Sequence, residues 1–306
     1  MLDQPLAYLT RRLIKLRGGW RIADALRRYY TPRYAGRSDA WVVIHDYDGD
    51  LTFKLDRAAY MSSAIYWCGY HHIDERRAIG AFLHPEAVFV DVGANIGEFS
   101  LYAAKRLTRG QVWAFEPFPP IVRVLKENVA RNKFYHIHVI PAGLGETPGV
   151  FPFYSATDHS PHIGIHEGLT TMYATPSRAE LVGEGEIRRL DDVVQEKRFT
   201  RLDLIKIDVE GAELPVLRGA QHTIQRFHPA VLLEINEEMF RSAGYTTQAL
   251  LSFMTAYGYT PYLIGLRGAL QPVSRDLPAL CNVIFRVHNA WEGLPLLDNP
   301  HATASA

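Results

Sequence analysis

Val88-Phe89-Val90-Asp91-Val92-Gly93-Ala94-Asn95-Ile96-Gly97-Glu98-Phe99-Ser100 is the stretch whose reading decides the fold. Its first half alternates β-branched and aromatic residues, the signature of a buried strand. Asp91 stands at the strand's end, and a Gly-x-Asn-x-Gly turn leads into a helix carrying Phe99, Leu101 and Ala103. Gly93 permits the tight turn, Asn95 tolerates left-handed backbone angles, and Gly97 is expected to let the helix approach a ligand closely. A strand, a glycine-rich turn and a helix start together predict a nucleotide-binding crevice, although an ordinary strand-to-helix turn of any α/β protein carries the same residues.

Charge selects among nucleotides. A dinucleotide's pyrophosphate favours backbone N–H groups and no neighbouring carboxylate. Here Asp91 precedes the turn and Glu98 occupies the position of the final fingerprint glycine. S-adenosylmethionine suits the pattern better, because it has no phosphate and carries an ammonium and a sulfonium. A second strand, Gln111-Val112-Trp113-Ala114-Phe115, delivers Glu116 nineteen residues after Gly97. That is about the 20-residue spacing at which a second strand presents a carboxylate to ribose hydroxyls.

The combination resembles the FkbM family of S-adenosylmethionine-dependent O-methyltransferases. The similar stretches are Val90 to Gly97, Phe115-Glu116-Pro117, the run Asp203-Leu204-Ile205-Lys206-Ile207-Asp208-Val209-Glu210-Gly211-Ala212-Glu213, Val216 to Ala220, and Leu232-Leu233-Glu234-Ile235. The resemblance spans roughly residues 40 to 290, and the run from Lys206 to Glu213 is its most specific part. It implies an α/β fold of the class I methyltransferase (Rossmann-like) type: a doubly wound, mostly parallel seven-stranded sheet with an N-terminal helical and hairpin cap. The expected cofactor set is Asp91, Gly93, Asn95, Gly97, Glu116, Pro117, Phe118, Ala142, Gly143 and Asp208.

Composition narrows the function further. The 306 residues are 47% hydrophobic and 22% charged, with formal net charge zero. That balance argues against a dedicated nucleic-acid enzyme, which shows a basic surplus. So does Val209-Glu210-Gly211 after Asp208, where methyltransferases of exocyclic base nitrogens resemble one another in a Pro-Pro-aromatic run. Cys68 and Cys281 lie far apart without metal or redox spacing, as reduced thiols do. No secretory signal and no spanning run is visible, so a soluble, cytoplasmic protein is expected.

Residues 1–75 read as N-terminal helices, a hairpin and a cap, residues 76–290 as the cofactor-binding core, and 291–306 as a frayed tail. Helices are expected over 5–30, where residues 1–37 hold nine Lys or Arg against Asp3 and Asp24. Such a basic amphipathic segment suits peripheral contact with an anionic membrane, or simply a solvated face on a packed helix. Asp48-Gly49 predicts a hairpin across 41–55. Tyr66 to His72 is aromatic and rich in turn residues; in relatives the corresponding segment covers the cofactor and acceptor pocket. Residues 146–190 break the strand–helix rhythm and predict a β-like insertion near the acceptor mouth. Within it His159, His162 and His166 could seat a metal, without the cysteines of a structural zinc pattern.

Methyl transfer to an alcohol needs the hydroxyl aligned with the methyl carbon and a group to accept its proton. The expected catalytic residues are Asp208, His71 and His72, one of which acts as general base. In a competing scheme Asp208, Glu234 and Asn236 gather a magnesium ion that acidifies the hydroxyl; the metal-free route is preferred. Lys206 lies mid-strand, placed to neutralise Asp208. The expected activity is O-methylation of a sugar, glycolipid or polyketide-type metabolite, the acceptor range the resemblance implies. A nicotinamide-dependent oxidoreductase and a silent S-adenosylmethionine-binding protein are the rivals.

Overall fold

The structure, a computed structural model, describes residues 3–14, 16, 18–155, 170–175, 178–273 and 276–287. In chain order come α1 (Asp3–Leu13), α2 (Gly19–Tyr30), the hairpin β1 (Trp41–Tyr47) and β2 (Leu51–Asp56), α3 (Tyr60–Cys68) and α4 (Ile73–Gly80). The alternating core follows: β3 (Val88–Val92), α5 (Glu98–Ala104), β4 (Gln111–Phe115), α6 (Pro119–Asn132) and β5 (Ile137–Ile140). Then come β6 (Gly143–Leu144), β7 (Gly149–Ser155), β8 (Glu180–Arg188), α7 (Leu190–Glu196), β9 (Leu204–Ile207), α8 (Glu213–Gly219) and α9 (Gln221–Phe227). The chain closes with β10 (Ala230–Asn236), α10 (Glu237–Ser242), α11 (Thr247–Ala256), β11 (Tyr259–Ile264), β12 (Leu270–Pro272) and β13 (Leu280–Val287).

The central sheet runs β12-β11-β13-β10-β9-β3-β4-β5. Strands β10, β9, β3, β4 and β5 are mutually parallel, and β13 enters antiparallel between β10 and β11. This is the expected doubly wound, mostly parallel sheet. It has eight strands rather than seven because the short β12 pairs on the outer edge of β11, where an open strand recruits a partner. The strand order reverses between β9 and β3, so ligands gather outside their carboxyl ends.

Period-two alternation splits the hydrophobic residues between two cores. Phe89, Leu204, Leu232 and Ile284 face one side with α4, α5, α6 and the hairpin. Val90, Val92, Ile205, Ile207, Val231, Leu233, Val283 and Phe285 face the other with α7, α8, α9 and α11. The hairpin turn at Asp48-Gly49 has positive φ at both residues (46° and 102°), the geometry that favours Asp-Gly. Its outer strand is pinned by side-chain amides of α6. Asn128 and Asn132 accept from the backbone N–H groups of Lys54 and Thr52 at 2.7 and 2.8 Å.

Two elements depart from the sequence expectation, and the expected β insertion is present. Tyr66, Trp67 and Cys68 end a helix, α3, and only Gly69 onward forms the turn. The unbroken hydrophobic stripe over 213–227 predicts one helix, but there are two, because Ala220 (φ −113°, ψ 12°) leaves helical geometry between α8 and α9. Residues 149–155 and 180–188 form the insertion's antiparallel pair, joined by β6 in a separate sheet. The histidines expected at 159, 162 and 166 and the tail from 291 lie outside the described residues. Cys68 and Cys281 are free thiols. Among the described residues no helix is long and apolar enough to cross a membrane.

Candidate active site

A cavity of about 310 Å³ opens at the carboxyl ends of β3, β4, β9 and β10, where the topology predicts a ligand. Its wall includes Gly93, Asn95, Glu116, Pro117, Phe118, Asp208, His71, His72 and Glu234, which the sequence had singled out from five different segments. Tyr60 and Met61 of α3, Phe153 of β7 and Thr170 also line it.

Glu116 sits just past β4, its side chain held by the turn that carries Asn95. Its two oxygens accept from the Asn95 and Phe118 N–H groups, each at 3.0 Å. Asn95 has φ 49°, so the left-handed angle expected of it is what aims its N–H at the carboxylate. Burial pushes the Glu116 carboxyl up to about 7, against the pull of those two N–H groups and of Lys206.

Four residues of the expected cofactor set do not reach the wall, and each has a packing reason. Asp91 is fully buried beneath the turn, its Oδ2 accepting from the Ser100 hydroxyl at 2.6 Å. Gly97 has φ 101° and faces α6, where a Cβ would stand 2.8 Å from Leu125 Cδ1; it serves helix packing, not ligand approach. Ala142 and Gly143 are buried behind Pro117, and a Cβ on Gly143 would meet Ile187 at 2.7 Å. Gly93 does line the cavity, but its φ of 73° and the 2.0 Å separation of a built Cβ from the Asp208 carbonyl oxygen show why only glycine fits. There β3 and β9 meet.

Lys206 joins the layers. Its Nζ donates to the Gly93 carbonyl at 2.7 Å and lies 3.4 Å from Asp91 Oδ1 and 3.5 Å from Asp208 Oδ2. Burial opposes the Lys206 charge, yet Asp208 and Asp91 raise its pKa. Burial likewise opposes ionisation of Asp208, but Lys206, then His72 and His71, lower it. Asp208 therefore stays a carboxylate, with a third of its side chain (33%) open.

Glu98 lines the cavity, as its place beside the turn predicts, and has a second role that the sequence does not show. It anchors the loop after α3. Its Oε1 accepts from the His71 N–H at 2.9 Å, and its Oε2 lies 3.1 Å from His72 Nδ1. His72 Nδ1 is in turn 3.0 Å from His71 Nδ1. Burial favours a neutral Glu98, but the His72 hydrogen bond and charge, with Arg76, hold it well below the usual carboxylate range. Burial also disfavours a charged His72, yet Glu98 raises it. His71, buried and beside His72, falls to about 4 and is neutral near pH 7. The available signal was a charged residue buried in a helix's first turn, which demands a partner.

Glu234 and Glu210 complete the acidic end. Asp208, Glu210 and Glu234 present oxygens within 4.8 Å of one another. Glu210 is paired with Arg178 at 2.8 Å. Glu234 rises to about 8 through burial and the charges of Asp208, Glu210 and Glu213. Asn236, expected as a third metal ligand, accepts from Met239 N at 3.3 Å and caps α10.

These raised acids set a pH dependence. Glu116 and Glu213 move up to about 7 and Glu234 to about 8 from ordinary values near 4.5. Each binds its proton more tightly folded than unfolded. The stability they contribute is full below about pH 4.5 and is lost as pH rises through 7 to 8. Scanning fluorimetry of the ligand-free protein is expected to show a melting temperature falling from about pH 5 to pH 8, with a shallower fall in Glu116→Gln. A flat profile in both would contradict the burial of these carboxyls.

Five acidic side chains (Glu98, Glu116, Asp208, Glu210 and Glu234) thus line the cavity with one lysine, and of these Glu98 and Asp208 are held ionised by their partners. The arrangement favours a cationic ligand and opposes a pyrophosphate. The donor set fits S-adenosylmethionine: Glu116 keeps a free lone pair on each oxygen for ribose hydroxyls, and the far end is acidic.

Comparison with known proteins agrees with this chemistry. A family model described as the methyltransferase FkbM domain matches residues 91–261. The chain is 32% identical over 213 residues to the AMB antimetabolite synthetase AmbE of Pseudomonas aeruginosa, covering 59% of this chain and 10% of that protein. It is 32% identical over 163 residues to the 31-O-demethyl-FK506 methyltransferase FkbM of Streptomyces tacrolimicus, covering 46% and 62%. Over 153 residues it is 33% identical to the hexuronic acid methyltransferase AglP of Haloferax volcanii, covering 49% and 56%. The chain therefore spans less than two thirds of each of these relatives. With the domain match extending over more than half of its own length, the chain belongs to the FkbM methyltransferase family.

Proposed function

We propose that the chain is an S-adenosylmethionine-dependent methyltransferase acting on a hydroxyl of a sugar, glycolipid or polyketide-type metabolite. One observation carries the reading: a single cavity with Glu116 at one end and Asp208 with the His71–His72–Glu98 chain at the other. Relatives named for 31-O-demethyl-FK506 and for a hexuronic acid support an oxygen acceptor on a metabolite or sugar.

When bound, S-adenosylmethionine supplies an electrophilic methyl group on a sulfonium. Glu116 accepts the ribose hydroxyls through the lone pairs its backbone partners leave free, while Pro117, Phe118 and Phe153 exclude water around the adenine. Gly93 and Asn95 hold the turn that aims Glu116. Asp91 acts from below, fixing Lys206, which keeps Asp208 ionised. Asp208, kept ionised at the same end of the cavity, stabilises the positive charge that develops on the base. Neutral His71 takes the proton, and the imidazolium formed is stabilised by the Glu98 and Asp208 charges. Glu98 and His72 are positioning residues for that base. The convergence of Asp208, Glu210 and Glu234 oxygens supports a second, magnesium-assisted route. Lys206 and Arg178 already neutralise two of those acids, so the metal-free route is preferred.

Titration calorimetry with S-adenosylhomocysteine and with a nicotinamide dinucleotide tests the reading. Binding of the homocysteine derivative is expected, and binding of the dinucleotide alone would overturn it. With labelled cofactor and a panel of sugar and glycolipid acceptors, His71→Asn is expected to lower turnover about 10²–10⁴-fold while cofactor affinity holds. A silent binding protein would transfer no label before or after the change.

A further inference from the structure

The chain is neutral as a whole, yet residues 1–37 carry nine Lys or Arg against two acids, so the remainder carries an equal acidic surplus. Both acids of the segment are already engaged: Asp3 with Arg57, and Asp24 with Arg27 and Arg28. The two helices bury little of themselves. Ala7 and Thr10 of α1 and Ala23 of α2 are among the few buried side chains. Apolar side chains that would ordinarily turn inward instead face out: Leu9 is 51% exposed, Leu16 63%, Trp20 54% and Ile22 55%. Arginines alternate with the aromatics on this surface. The Arg12 guanidinium lies 4.6 Å from the Tyr8 ring centre, Arg21 5.8 Å from Trp20, and Arg33 3.7 Å from Tyr29. Among the described residues no carboxylate lies within ion-pair distance of those three arginines.

A solvated basic face explains the arginines but not the exposed leucines and tryptophan beside them. An acidic protein surface would match the charge but leave the apolar side chains without an apolar partner. A bilayer interface with anionic headgroups answers both, because apolar side chains and Trp enter the headgroup boundary while arginines pair with phosphates. We propose that the outward surface of α1 and α2 docks on an anionic lipid bilayer, with Leu9, Leu16, Trp20 and Ile22 entering the interface and Arg12, Arg21 and Arg33 meeting lipid phosphates.

The other side of α2 packs toward the cavity. α2 packs on α3, and its Arg27 guanidinium stands 5.1 Å from the Tyr60 ring centre. Tyr60 lines the cavity and meets His71 edge-on at 5.4 Å. Docking therefore holds the cavity close to the bilayer, behind the layer of α2 and α3. It selects, within the acceptor range proposed above, a hydroxyl borne on a membrane lipid; this corollary rests on the methyl-transfer reading, whereas the docking itself does not.

Cosedimentation of the full chain, without cofactor, tests the docking on vesicles of phosphatidylcholine and of phosphatidylcholine mixed with phosphatidylglycerol. Binding is expected only to the anionic vesicles, weakening as salt screens the charges. Arg12→Gln and Arg21→Gln should each weaken it about fivefold. The double change Leu16→Ser and Trp20→Ser should weaken it at least about tenfold. These side chains are exposed, so melting temperature and S-adenosylhomocysteine affinity should stay unchanged, separating docking from folding and from the cofactor site. Equal binding to both vesicle types, no binding, or unaltered binding by the variants would overturn the proposal. So would lipid-free self-association that these same variants abolish, which would assign the surface to a second copy of the chain.

Discussion

Replacing Glu116 by Ala is expected to lower the affinity for S-adenosylhomocysteine at least a hundredfold, read by titration calorimetry. Its carboxylate is the one acidic group held at the end of β4, and both oxygens are aimed by backbone N–H groups at 3.0 Å. Two charge-assisted hydrogen bonds to ribose hydroxyls contribute about 1.5–3 kcal/mol each, and truncation removes both. It also frees the Asn95 and Phe118 N–H groups, so part of the loss comes from a looser turn. Glu116→Gln separates the two effects, because it retains an oxygen acceptor and the side-chain volume. Its loss should be smaller, about tenfold, while the turn stays ordered. Equal affinity in the parent protein and Glu116→Ala would remove Glu116 from the site.

Lys206→Met should be the most destabilising exchange at the site, by about 3–5 kcal/mol in urea unfolding. Lys206 is 4% exposed and Asp91 is wholly buried, so the exchange strands a carboxylate with no cation within reach. Asp208, more open, loses the charge that lowers its pKa and moves toward the neutral acid. Adding Asp91→Asn removes the stranded charge, so the double variant should recover much of the stability. The Asp208 function should stay impaired. If the single variant loses less than about 1 kcal/mol, the Asp91–Lys206 pair is not what holds β3 to β9.

The parts of this site that could be read from the chain are those fixed by neighbours in sequence. The strand, turn and helix around Gly93 and Asn95, and Glu116 at the next strand's end, depend on local backbone geometry and a constant crossover length. Asp208 was legible for the same reason. What escaped was set by distant packing. Asp91 and Gly97 were read as ligand contacts because a sequence does not show that Lys206 arrives from β9 above one, or that Leu125 presses on the other. The anchoring role of Glu98 escaped because its partners, His71 and His72, sit in a loop placed by α3. The break at Ala220 was masked by an unbroken hydrophobic stripe, since alanine is itself a good helix former. The short β12 carries no alternation long enough to signal a strand.

The structure of the chain soaked with S-adenosylhomocysteine is the most direct measurement of the central claim. The ribose hydroxyls are expected within hydrogen-bond distance of the Glu116 carboxylate, with the sulfur turned toward Asp208 and His71. Adenosine bound elsewhere, or a sulfur pointing away from the acidic end, would contradict it.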